Sequence, residues 1–221
     1  MKYYILNKYL AALSGLFLIL FLTGHLAGNL QLFIPESQGA QKQFNEYAHF
    51  MSTNPIVKVL SITTYISIIL HIIVTMALSI DARYKRGSRY KSTKSPTQNF
   101  SSRYMGVLGT VILAFLIIHL SNFWYKAKFT DILLYDDYGN KDVYSLVVGK
   151  FSHIESVLIY VFSMLAIFLH TLHGFSSAFQ SLGLVNSIIR RYLTIIGMAY
   201  ALLIPFLFAL IPVYIYLGLH K

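Results

Sequence analysis

The sequence predicts an all-α fold, an integral membrane bundle of five transmembrane helices with a cytoplasmic N-terminus and an outside C-terminus. Three observations predict it. Of the 221 residues, 56% are hydrophobic and 12% charged, which does not suit a soluble domain. Five apolar runs, Tyr9–Pro35, Val59–Ile80, Tyr104–Tyr125, Ser156–Ile189 and Tyr192–His220, each hold at least 22 uncharged residues. At about 1.5 Å rise per residue, each run can cross a hydrocarbon core of roughly 30 Å with its backbone groups satisfied internally. The segments between the runs are asymmetric in charge. One set carries 11 basic residues and a single acid, Asp81, while the other carries seven of each sign. The positive-inside rule then puts the first set, with the N-terminus, in the cytoplasm.

The elements follow in order within a single membrane domain, 1–221. The first span is expected at about 9–32. Met1 to Lys8 and the long run behind them predict a retained helix rather than a cleaved signal. After a turn at Pro35, Phe44, Tyr47, Ala48 and Met51 recur at helical spacing, which predicts a short amphipathic helix on the outer surface. Asn54-Pro55 makes a turn before the second span, at about 58–80. The basic stretch Arg83–Arg103 is a topology signal and a candidate docking surface for an acidic or phosphate-bearing partner. The third span covers about 104–126, and the polar segment Lys126–Lys150 is assigned no element. The fourth covers about 155–181, followed by a turn at Gly183–Ser187. The fifth covers about 192–218, with kinks expected at Pro205 and Pro212. There is no internal repeat and no low-complexity tract.

Composition excludes several chemistries. With no cysteine, disulfides, thiolate-held iron–sulfur clusters and the Cys-x-x-Cys-His haem attachment are absent. The net charge of +10 is spent on topology, and no nucleic-acid-binding pattern accompanies it. No carboxylate or lysine lies mid-span, so a charged ion pathway is missing too.

What the spans do contain is histidine: His25, His71, His119, His170 and His173, on the first four spans. One such histidine can be a simple interhelical hydrogen-bonding group. One on each of four helices points to a shared role, provided partners lie at the same depth. His25 and His119 lie 16 and 15 residues from the inner starts of their spans, roughly 23–24 Å up. His71 and His170 lie 12 and 14 residues from the outer starts of theirs, closer to the cytoplasm. His173 is one turn deeper, about 4.5 Å. Two ligands per level do not suit zinc, which takes three or four. They suit an axially clamped haem, with Gly15, Gly106, Gly109 and Gly174 as small positions beside it.

Phe21-Leu22-Thr23-Gly24-His25-Leu26, Phe44 to Met51, Ile69-Leu70-His71, Ile118-His119-Leu120 and Phe168-Leu169-His170-Thr171-Leu172-His173-Gly174 with Ser177 to Gly183 carry a resemblance. Together they resemble the two-haem cytochrome b membrane-anchor subunit of the succinate dehydrogenase/fumarate reductase family, the single-chain five-helix type. The match runs from the first span through the fourth. It implies two haem b groups, a distal one on His25 and His119 and a proximal one on His71 and His170. His173 is the alternative ligand, since some members place the ligand immediately before the glycine. It further implies a flavoprotein and an iron–sulfur protein docked on the cytoplasmic face of the inner membrane. A quinone, usually menaquinone, would react near the distal haem, and the chain would have no catalysis of its own without its partners. Quinone chemistry needs a proton donor or acceptor and a route to water. Glu46 and His49, and also Glu155 and His153, are candidates by location. Lysines and arginines at the inner helix ends are candidates for the proximal propionates. Two other readings stand beside this one. They are the cytochrome b subunit of a hydrogenase or formate dehydrogenase, and a non-redox helix bundle or transporter.

Overall fold

The computed structural model describes residues 2–85 and 104–221. Arg86, Arg89, Lys91, Lys94 and Arg103 of the basic stretch lie outside the described residues. Among the described residues 85% are helical and none lies in a strand, and five helices are long and apolar enough to span a membrane.

Helix α1 covers Lys2–Asn29 and passes into a 3₁₀ turn, Leu30–Phe33. It therefore starts earlier and ends sooner than the charge-bounded run suggested. Lys8 does not interrupt it, because a long basic side chain near a helix end can reach out of an apolar layer. Helix α2, Ala40–Thr53, is the expected amphipathic helix. Its buried face is Ala40, Phe44 and Asn45, while Met51 is exposed.

Helix α3, Pro55–Lys85, starts with proline at its first position, and the Asn54 Oδ1 caps it by accepting from the amides of Ile56 and Val57 at 2.9 and 3.3 Å. Helix α4, Met105–Phe129, is α-helical to His119, π-helical over Leu120–Tyr125, and α-helical again from Lys126. Within the segment left unassigned by sequence, helix α5, Val143–Phe151, is capped by Asp142, which accepts from the Ser145 amide. Tyr144, Val147 and Phe151 form its buried face.

Helix α6, Ile154–Ser181, ends where the amide of Leu184 bonds back to the Phe179 carbonyl across Gly183, whose φ of +73° favours glycine. Helix α7, Ser187–Tyr216, is capped by Asn186. It begins five residues before the expected boundary because Arg190 and Arg191 lie within its first turns, and it continues through Pro205 and Pro212.

Helix α6 packs against α7, α4 and α1, and α1 packs against α3. Buried hydroxyls close on their own helices. Ser14, Thr64 and Ser163 donate to the carbonyls four residues back at 2.7, 2.9 and 2.7 Å. The outward faces are apolar: Ile62, Ile66, Ile69, Ile73, Met76 and Ile80 on α3 are all exposed, which suits lipid and not water.

One end of the bundle is capped by α2 and α5, which pack on each other. Asn45, fully buried, joins them. Its Nδ2 donates to Asp136 Oδ2 and Asp142 Oδ1 at 3.1 and 3.0 Å, and its Oδ1 accepts from the Tyr144 amide at 2.9 Å. Gln41 donates to the other Asp142 oxygen at 2.8 Å. Burial pushes both carboxyls up, but the donors outweigh it and hold them below the ordinary carboxylate value. On Asp142 these are the Ser145 hydroxyl and amide, Asn45 and Gln41; on Asp136 they are Asn140, Asn45 and the Tyr138 amide. Burial, and then the nearby Glu36 carboxylate, push the Tyr144 phenol up to about 12. The C-terminal turn closes the cap, since the Glu36 amide donates to the His220 carbonyl at 2.7 Å.

Candidate functional site

Four helices bring their histidines together as two pairs. His25 on α1 faces His119 on α4 with ring centres 5.8 Å apart and planes at 86°. His71 on α3 faces His170 on α6 at 6.4 Å and 70°. Sequence depth pairs the same residues. The first pair lies toward the capped end and the second toward the far end.

The cap-side pair is boxed by aromatic rings. Phe21 stacks on His25 at 5.5 Å and Phe208 of α7 lies 5.6 Å from it. Phe115, Phe123 and Tyr160 surround His119 at 5.7, 5.4 and 6.0 Å. Phe115, His119 and Phe123 recur every four residues, a spacing from which both aromatics could have been read. Tyr160 and Phe208 carry no such signal. The π-helical turn begins directly after His119 and aims Asn122 at Tyr160, whose hydroxyl takes its amide at 3.2 Å.

The far pair is flanked by glycine instead. A Cβ on Gly15 of α1 would lie 3.2 Å from His71 Cε1, and one on Gly109 of α4 would lie 4.0 Å from His170 Cε1. Two of the four small positions named from sequence thus touch the site. Gly106 is exposed, and a Cβ on Gly174 would meet nothing within 4 Å. His173 is half-buried one turn from His170, and the ring paired with His71 is that of His170.

A metal bonded at about 2.0 Å to one nitrogen of each ring would hold the ring centres roughly 6 Å apart, and both pairs are compatible with that spacing, which is also that of ordinary edge-to-face ring contacts. The Nδ1 atoms of His119 and His170 are buried with no hydrogen-bond partner. Two neutral imidazoles with apolar, aromatic and glycine neighbours fit a bis-histidine haem. Among the described residues no group of three or more His, Cys, Asp or Glu side chains is placed to hold a metal ion. A small cleft of about 20 Å³, lined by Ser176, Gln180 and Arg190, lies between the far ends of α6 and α7 and is too small for a porphyrin.

The four proton candidates do not join the site. Glu46, His49, His153 and Glu155 are exposed at the capped end, and Glu46 pairs with Lys42 at 3.9 Å.

Fold and site define a multi-pass helical bundle, apolar enough for a membrane, with two buried histidine pairs at separate levels. No family model matches the chain, and no curated protein or solved structure matches it.

Proposed function

We propose that the chain is a dihaem cytochrome b subunit. It anchors a flavoprotein and an iron–sulfur protein of the succinate dehydrogenase/fumarate reductase type to the inner membrane and serves electron exchange with a quinone, menaquinone in this reading. The observation that carries it is the meeting of four histidines from four helices as two pairs, at 5.8 and 6.4 Å. When bound, haem b supplies one-electron redox chemistry at each level. The chain's own residues do the rest. His25 and His119 hold one group, and His71 and His170 the other. Phe21, Phe115, Phe123, Tyr160 and Phe208 exclude water from the cap-side level, and Gly15 and Gly109 bring two helices close to the far one. Glu46, His49, Glu155 and His153, exposed at the capped end, are candidates by location only for the proton step of quinone chemistry.

The purified chain should show a reduced-minus-oxidised b-type spectrum with two haems per chain. His25→Ala and His119→Ala should each leave one haem, and His71→Ala and His170→Ala should each leave the other. His173→Ala should leave both. A wild-type chain without a b-type band refutes the reading, and loss of haem in His173→Ala with retention in His170→Ala reassigns the ligand. Co-purification of a flavin-bearing partner that oxidises succinate separates it from other respiratory cytochromes b.

A further inference from the structure

The four paired imidazoles are not tethered alike. The Nδ1 atoms of His119 and His170 are buried without partners. His25 Nδ1 has the Asn29 amide of its own helix at a long 3.5 Å, and the same NH2 group also donates to the His25 carbonyl at 2.7 Å. His71 differs: its Nδ1 lies 3.2 Å from Ser14 Oγ on the neighbouring helix α1.

Ser14 is 5% exposed, and its hydroxyl has one hydrogen to give. The Leu10 carbonyl takes it at 2.7 Å, with the Ala11 carbonyl a longer 3.2 Å away. The hydroxyl therefore turns a lone pair to His71, and the hydrogen in the contact belongs to Nδ1. Ser14 thus selects the Nδ1–H tautomer, which leaves Nε2 with the lone pair a metal requires. Gly15 fixes the ring further, since a Cβ there would lie 3.2 Å from Cε1 and 3.5 Å from Nδ1. The Nδ1–Cε1 edge of His71 thus rests on the α1 backbone.

We propose that Ser14 is a positioning residue for His71, which by accepting from Nδ1–H fixes the ring's tautomer and rotation and strengthens Nε2 as a donor to the far-level haem iron. The inference rests on the dihaem reading. A stronger imidazole donor favours ferric over ferrous iron, so Ser14 holds the midpoint potential of that haem down.

The test is a redox titration of the full chain in its complex, followed at the b-type band. The far-level component is identified by its absence in His71→Ala. In Ser14→Ala that component should rise in potential, with about a threefold change in its ferric-to-ferrous ratio, roughly 30 mV for a one-electron couple. The cap-side component should stay where it is. Ser14→Thr, which keeps the hydroxyl, should restore the wild-type value, and the ferric low-spin resonance of the same component should change in Ser14→Ala alone. Loss of the far-level haem in Ser14→Ala with retention in Ser14→Thr also supports the proposal. An unchanged Ser14→Ala, a Ser14→Thr that behaves like alanine, or equal movement of both components overturns it. The parent reading fails at a different observation, a wild-type chain with no b-type band.

Discussion

Replacing Asn45 by leucine should free the cap without unfolding the bundle. Leucine keeps the volume and removes one acceptor and two donor contacts. The Tyr144 amide, at the buried start of α5, loses the Asn45 carbonyl oxygen that takes it at 2.9 Å. A buried donor left unsatisfied costs about 1–3 kcal/mol. Asp142 keeps the Ser145 amide and Gln41, and Asp136 keeps the amides of Tyr138 and Asn140. Each carboxylate therefore loses one donor of several, about 0.5–1 kcal/mol apiece. Together this is roughly 2–5 kcal/mol, about a 30- to 4,000-fold rise in the opening equilibrium at about 1.4 kcal/mol per tenfold. Hydrogen exchange read on peptides across Val143–Phe151 should accelerate by that factor, while the midsections of α1 and α6 exchange as before. Acceleration below threefold would show that Asn45 does not hold the cap. Equal acceleration throughout the bundle would show that cap and bundle are one cooperative unit. Asn45→Asp should be the more damaging at neutral pH, because it puts a third carboxylate beside Asp136 and Asp142, and should recover in part on acidification.

Two further outcomes are expected. At Gly28 an added Cβ would lie 2.6 Å from the ring of Tyr47. Gly28→Ala should lower the thermal midpoint by the equivalent of about 1 kcal/mol, the low end of overpacking because a tyrosine ring can swing aside, and Tyr47→Ala in the same chain should recover most of it. Asp136 and Asp142 are held below the ordinary carboxylate value in the fold, so the stability they confer is present above that value and is lost as pH falls through the folded one. Exchange protection of Val143–Phe151 should be flat from about pH 7 to 5 and drop below about pH 4. A decline beginning near pH 6 would contradict the assignment.

Most of the bundle was legible in the sequence because a membrane helix must be long, apolar and internally bonded, and the histidines stand out against that background. Helix ends were not. Charge-bounded runs stop at Lys8 and Arg191, yet α1 and α7 continue through both, since a charge at a helix end reaches water without breaking the helix. The cap was only half legible. Phe44 and Tyr47 advertised α2 by their spacing, but Asn45, the residue that fixes α2 to α5, reads in sequence as an ordinary polar position. Its partners lie about a hundred residues away, and only the fold brings Asp136, Asp142 and Tyr144 to it. Helix α5 carries its own signal in Tyr144, Val147 and Phe151, obscured by the charged loop before it. Ser14 looked like any hydroxyl in a membrane helix, and its importance comes from the ring across from it.

The helix rise gives a distance between the levels from two independent helices. On α1, Gly15 touches His71 of the far pair, and His25 of the cap-side pair follows ten residues later. On α4, Gly109 touches His170, and His119 also follows ten residues later. Ten residues rise about 15 Å, half of a hydrocarbon core of roughly 30 Å. They also turn the helix by just over three-quarters of a revolution beyond whole turns, so glycine and histidine leave each helix on adjacent faces. Each of these helices can thus offer a histidine to one level and bare backbone to the other. Helices α3 and α6 match them from the opposite direction, with His71 and His170 both 16 residues from Pro55 and Ile154, where their helices begin. Shifting any one histidine by a turn would move it about 5 Å from its partner's level. The equal intervals on α1 and α4, and on α3 and α6, are therefore what pairing at two levels requires of helices that run in opposite directions.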